Sequence, residues 1–225
     1  MSCRPHRWAV LLATAALLAL AGCGGSDDDA TTTDPPPATT ATTAAAPVLG
    51  PAFGGMDDLP GVLKTPPPWS ANTGKLQQRL RAIGLPALTE EGQVVHIHQR
   101  LDIFVDGKSV KVADDIGIDP DGGFISPLHT HQDGDGVLHV ESPTQERFSL
   151  GQMFAVWGVR LDAKCIGGEC AGGGKSLRAW VNGTPVAGDP TRIVLDEHQE
   201  IVLAYGTPDQ VPDPVPSSYE FPAGL

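Results

Sequence analysis

The sequence predicts a single antiparallel α+β domain, and three observations carry that expectation. Two dipeptides that favour tight hairpins, Asp106-Gly107 and Asn182-Gly183, each separate runs with strand character. Only two segments space their apolar residues for a helix. The resulting order is helix, hairpin, strand pair, helix, hairpin, strands, which suits antiparallel strands with short helices rather than a doubly wound parallel sheet.

Taken in order, Asn72 or Thr73 can cap a helix over residues 74–83, with Leu76, Leu80 and Ile83 at i, i+4 and i+7. Gly84 and Pro86 end it. Residues 94–105 read as a strand, Asp106-Gly107 turns the chain, and residues 108–113 return. Residues 124–131 and 137–142 form a second strand pair around the turn at 132–136. Ser149 caps a second helix that runs to about Trp157, burying Leu150, Phe154 and Trp157, and Gly158 stops it. Residues 177–181 and a short return strand flank Asn182-Gly183. Residues 192–195 and 200–205 supply the last strands, and this later part suggests a β-grasp-like arrangement. About 150 residues suffice for one hydrophobic core, so no second domain is required.

The sequence ahead of this domain reads as an address. Arg4 and Arg7 precede an apolar stretch, residues 8–21, broken only by Thr14. That run is short for a membrane span and ends in small residues, as signal peptides do. Leu20-Ala21-Gly22-Cys23 resembles the bacterial lipobox. The resemblance implies lipidation (diacylglycerol, palmitate) of the Cys23 sulfur and cleavage after Gly22. The chain would then be anchored in a lipid bilayer on the extracytoplasmic side of the cell membrane. Each buried CH₂ contributes about 0.8 kcal/mol, so two or three acyl chains anchor stably.

The organisation that follows is a signal peptide (1–22), a disordered tether (23–50), a loop-like lead-in (51–71), the globular domain (72–206) and an extended Pro-rich tail (207–225). Residues 24–50 are almost entirely Gly, Ser, Asp, Thr, Pro and Ala, and have too little to bury to offset their conformational entropy. Loss of residues 1–22 removes two arginines and no acid, taking the formal charge from −12 to −14. Such a balance argues against nucleic acid as a partner and against a surface for anionic headgroups.

Five of the seven histidines fall in three short words: His96-Ile97-His98, His129-Thr130-His131 and His139-Val140-Glu141. In a strand alternate residues share a face. Val95, Ile97, Leu101, Ile103 and Val105 then face the core, interrupted by Gln99, while His96 and His98 point outward with Arg100 and Asp102. Leu138 and Val140 face inward and His139 and Glu141 outward. His129 and His131 oppose Leu128. Side chains at i and i+2 start roughly 6.5–7 Å apart, a spacing from which imidazoles can converge on one ion. Imidazoles with a single carboxylate favour a transition metal, copper or zinc above all, over magnesium or calcium.

Three readings stay open at this level. One is a non-catalytic metal-binding lipoprotein. Another is a structural, pH-responsive or protein-interaction domain with no metal. The last is a metal-dependent hydrolase with Glu141 as the base. No His-Glu-x-x-His helix and no G-x-S-x-G elbow supports catalysis.

The words His96–Gly107, Leu128-His-Thr-His131, Gly136–Pro143 and Phe148–Gly158 together resemble an uncharacterised family of exported or membrane-tethered prokaryotic proteins. The resemblance runs from about Val94 to Gly206. It implies only that these words belong to one domain.

Cys165 and Cys170 flank Ile-Gly-Gly-Glu, and outside the cytoplasm such a pair is expected to form a disulfide. The acidic turns at 119–123 and 133–136 lack the terminal Glu of a calcium loop. His198 stands alone near a turn.

Overall fold

The computed structural model describes residues 46–132 and 136–225. The signal segment, Cys23 and nearly all of the tether lie outside the described residues, as do Asp133, Gly134 and Asp135. Among the described residues no helix is long and apolar enough to cross a membrane.

The fold is α+β, as the patterning predicts. Helix α1 (Leu76–Ile83) precedes strand β1 (Val95–Val105), which turns through Asp106 and Gly107 into β2 (Lys108–Val110). Both turn residues have positive φ, 50° and 75°, the backbone that a two-residue hairpin demands. Short strands β3 (Ile118–Asp119) and β4 (Phe124–Ile125) pair with each other, and β5 (Leu128–His129) leads into β6 (Val137–Ser142). Helix α2 (Leu150–Trp157) follows. After it come a small ribbon of β7 (Cys165–Ile166) and β8 (Glu169–Cys170), the hairpin of β9 (Ser176–Val181) and β10 (Thr184–Val186), and finally β11 (Gln199–Gly206).

The main sheet runs β10-β9-β11-β1-β6-β5, with β2 also on β1. Its pairings are antiparallel except at the centre, where β1 and β11 run parallel. First and last long strands thus lie side by side, with α2 connecting the two flanking pairs. Leu101 and Ile103 of β1, Leu138 and Val140 of β6, and Ile201 and Leu203 of β11 join the core. All but one of the α2 residues are buried in it, and α1 contributes Leu76 and Leu80.

Helix α2 starts and stops where expected. Ser149 Oγ accepts from the Gln152 backbone N–H, Gln152 reaches back to Ser149, and Gly158 closes the helix at φ 73°. Helix α1 does not. Its cap position is Lys75, preceded by a 3₁₀ turn (Thr73–Lys75), and neither Asn72 nor Thr73 caps it with a side chain. Asn72 sits at φ 54°, and its Nδ2 donates instead to the Gly61 and Gly158 carbonyls.

Three strands differ from expectation. The run 124–131 splits into β4 and β5, which join different sheets on either side of Pro127; its ring has no N–H for a ladder. The return strand after Asp106-Gly107 ends at Val110 rather than Ala113. Residues 192–195 form no strand. A 3₁₀ turn (Pro190–Arg192) leads instead to single bridges, Leu49 with Ile193 and Ser149 with Val194.

The lead-in packs onto the domain, with Trp69 buried edge-on to Trp157 at 5.9 Å between ring centroids. Arg79 of α1 is fully buried. Its guanidinium donates to the Val156 and Trp157 carbonyls at the end of α2 and to the Pro60 and Asn72 carbonyls. Burial lowers its pKa to about 10, so it stays a cation at the negative end of a helix.

Candidate metal centre

Register turns three separate words into one cluster. β1 pairs with β6 so that His98 lies opposite His139 and His96 opposite Glu141, and β5 pairs with β6 so that His129 also lies opposite His139. Directly opposed residues share a face. His98, His139 and His129 therefore form a row across three strands, on the face away from α2. Adjacent strands are about 4.8 Å apart, and the ring centroids follow, 4.6 Å from His98 to His139 and 5.2 Å from His139 to His129. His96 lies beside His98 at 4.9 Å, and His131 packs against both His129 and His139, at 4.8 and 4.5 Å.

The pairing of His98 and His129 with His139 and of His96 with Glu141 fits the parity reading, but the exposure does not. An outward, solvated face is expected, yet His98, His129, His139 and Glu141 are all at most 4% exposed. The segment at Ile116-Gly117 runs alongside β5. The Thr130 N–H donates to the Ile116 carbonyl, and a Cβ on Gly117 would stand 3.1 Å from that of His129. Farther along β1, the tail packs Tyr219 over the Arg100 guanidinium at 4.9 Å. Only His96 and His131 keep substantial access, their side chains 43% and 37% exposed.

The protein sets the tautomers. His129 Nδ1 is 3.0 Å from the Ser126 carbonyl oxygen, which can only accept, so Nδ1 carries the proton and Nε2 a lone pair. His139 Nδ1 is 3.1 Å from Glu141 Oε1 and donates to it in the same way. Burial tends to raise Glu141, but the hydrogen bond from His139 and the neighbouring imidazoles outweigh it and hold the carboxyl well below its ordinary range. Burial, with neighbouring imidazoles, pushes His98 down to about 4 and His129 to about 3. At neutral pH these two are uncharged imidazoles beside a carboxylate.

Among the described residues, His98 Nε2, His139 Nε2 and Glu141 Oε2 are buried with no hydrogen-bond partner. Buried polar groups cost free energy unless they are paired. His129 Nε2 and His131 Nε2 face each other at 3.2 Å. Nitrogens around a tetrahedral ion with bonds of 2.0–2.1 Å are roughly 3.3 Å apart, so this pair already has the spacing of two ligands. Potential ligand atoms of His129, His131, His139 and Glu141 all lie within 4.8 Å of one another, as do those of His96, His98 and Glu141. The groups are close enough to bind a metal ion.

Two residues at this site carry no signal in the sequence pattern. Ser126 acts through its backbone carbonyl, which any residue would supply. Glu91, whose carboxylate is 3.5 Å from His131 Nε2, comes from the loop before β1. Two other expectations resolve simply. Cys165 and Cys170 form a disulfide across the β7–β8 ribbon, and His198 stays outside the cluster, stacked on Phe221. Glu141, the candidate base, has three histidines facing its oxygens.

The site thus defines a class: an α+β domain with a buried, imidazole-rich cluster around one carboxylate. The chain matches no protein-family model, and neither curated proteins nor solved structures give a match.

Proposed function

We propose that this chain is a lipid-anchored extracytoplasmic protein whose domain binds a transition metal, copper or zinc, through His96, His98, His129, His131, His139 and Glu141. The observation that carries the reading is the set of buried, unpartnered ligand atoms, His98 Nε2, His139 Nε2 and Glu141 Oε2, gathered with the fixed Nε2 of His129. Bound metal would satisfy these atoms, which fall into two groups that share Glu141. Neutral imidazoles suit Zn(II) and Cu(II), and one carboxylate among them offsets part of the charge. The role is binding rather than catalysis, since Glu141 sits among the ligands.

Anchoring rests on different support, the lipobox-like Leu20-Ala21-Gly22-Cys23 and the apolar segment before it. The Cys165–Cys170 disulfide is compatible with an oxidising compartment.

The test is metal retention by the full chain purified in detergent, stripped with chelator, reloaded with Zn(II) or Cu(II), and dialysed. Metal is expected to remain bound and to raise the unfolding temperature. His129→Ala is expected to abolish both effects and His198→Ala to leave them intact. Loss of all metal on dialysis, with no thermal shift, would favour a structural domain without metal.

A further inference from the structure

The cluster is too long for a single ion, and the way it divides is specific. We propose that it is a dinuclear centre in which Glu141 bridges two transition-metal ions; the proposal rests on the metal-binding reading above. The six side chains fall into two sets that share one member. His129, His131 and His139 gather with Glu141 on the β5–β6 side, while His96 and His98 gather with the same Glu141 on β1. An ion with bonds of 2.0–2.1 Å reaches donors no more than about 4.2 Å apart. The histidine row instead crosses two strand spacings, about 9.6 Å from β1 to β5 at the backbone.

Glu141 reaches both sets, its Oε1 also accepting from His139 Nδ1 at 3.1 Å. Its Oε1 is 3.4 Å from His96 Nε2, and its Oε2 is 3.9 Å from His129 Nε2 and has no hydrogen bond. A carboxylate turned this way joins two ions at the separation of roughly 3.5–4 Å that paired metal centres show. The register explains the position. Glu141 lies opposite His96 across the β1–β6 ladder, and two residues from His139, which is opposite both His98 and His129.

The two positions differ in character. The β5–β6 set offers three imidazoles and a carboxylate oxygen, enough to complete a tetrahedral shell in a mostly buried place. The β1 set offers two imidazoles and the other oxygen, three donors with one coordination position left over. That position is at the exposed end, beside His96. The first ion is therefore held tightly, and the second exchanges more readily and has room for a small exogenous ligand.

Titration of the stripped full chain with Cu(II), followed by metal analysis and electron paramagnetic resonance, tests this. One equivalent is expected to give an ordinary mononuclear signal. A second equivalent is expected to bring spin coupling, seen as signal intensity below two spins and a half-field transition. His96→Ala, at an accessible position, should lower the stoichiometry from two to one and remove the coupled signal while keeping the tight ion. His131→Ala, in the β5–β6 set, should weaken the first ion at least tenfold. Thermal unfolding of both stripped variants confirms that they remain folded. Saturation of the wild-type chain at one ion, or two ions without coupling, overturns the bridged centre while leaving metal binding intact. Binding of no ion overturns both readings.

Discussion

At the scale of single residues, the cluster is a set of protonation states chosen by neighbours. The Ser126 carbonyl and the Glu141 carboxylate take the Nδ1 protons of His129 and His139, and burial keeps His98 and His129 from charging. This gives the metal-free protein a definite pH dependence. The unfolded chain protonates its histidines near pH 6.5, whereas the folded chain delays His98 to about 4 and His129 to about 3. Their contribution is full above pH 6.5 and is lost as pH falls through those values. Glu141, held low, adds to the same acid loss.

Glu200 runs the other way. Burial and the nearby Asp102 charge push it up to about 8, so its contribution is full below the ordinary carboxylate value and is lost as pH rises through 8. Stripped protein is therefore predicted to be most stable near pH 6.5, with its unfolding temperature falling on both sides. Glu200→Gln should remove the alkaline fall and leave the acid one. A profile flat from pH 4 to 6.5 would contradict the buried neutral imidazoles. The residue identities were legible in the sequence because strand parity sorts His139 and Glu141 from Leu138 and Val140. The burial was not, because backbone contacts such as those of Ile116 and Gly117 beside β5 leave no pattern in the sequence.

At the scale of elements, β1 does most of the positioning. One strand presents Leu101 and Ile103 to the core and His96 and His98 to the opposite face, so a one-residue slip against β6 would exchange the two sets. Hairpin and helix-stop signals were readable for a physical reason: Asp106-Gly107 and Gly158 need positive φ, and few residues tolerate it. The N-terminus of α1 was misread because Asn72 finds better partners in the Gly61 and Gly158 carbonyls than in its own helix. Arg79 was also missed. Its partners are all backbone carbonyls, some of them 77 and 78 residues away, and these leave no sequence trace. Replacing a buried cation with an apolar chain of similar length leaves those carbonyls unpaired. Arg79→Met is thus predicted to destabilise the domain by about 3 kcal/mol. Urea unfolding checks this as a lower midpoint at unchanged slope. A shift within error of zero would mean that α2 does not need its arginine.

At the scale of the whole molecule, the antiparallel α+β class was legible from hairpins and helix spacing. The parallel pairing of β1 with β11 lies between segments about 100 residues apart, and strand periodicity alone does not encode such a partner. That central pair places the histidine strands β1, β6 and β5 in one half of the sheet and the β9–β10 hairpin in the other. Anchoring belongs to this scale as well. Growth with an alkyne-bearing fatty acid is predicted to label the wild-type chain and not Cys23→Ser, and the labelled chain should fractionate with membranes. Equal labelling of both would rule out Cys23 as the lipid carrier.

X-ray absorption at the zinc edge of the zinc-loaded full chain tests whether the gathered imidazoles hold a metal. The expected result is a first shell of nitrogen and oxygen at about 2.0–2.1 Å, with the outer-shell scattering of several imidazole rings. A shell of oxygens alone, without imidazole scattering, would contradict it.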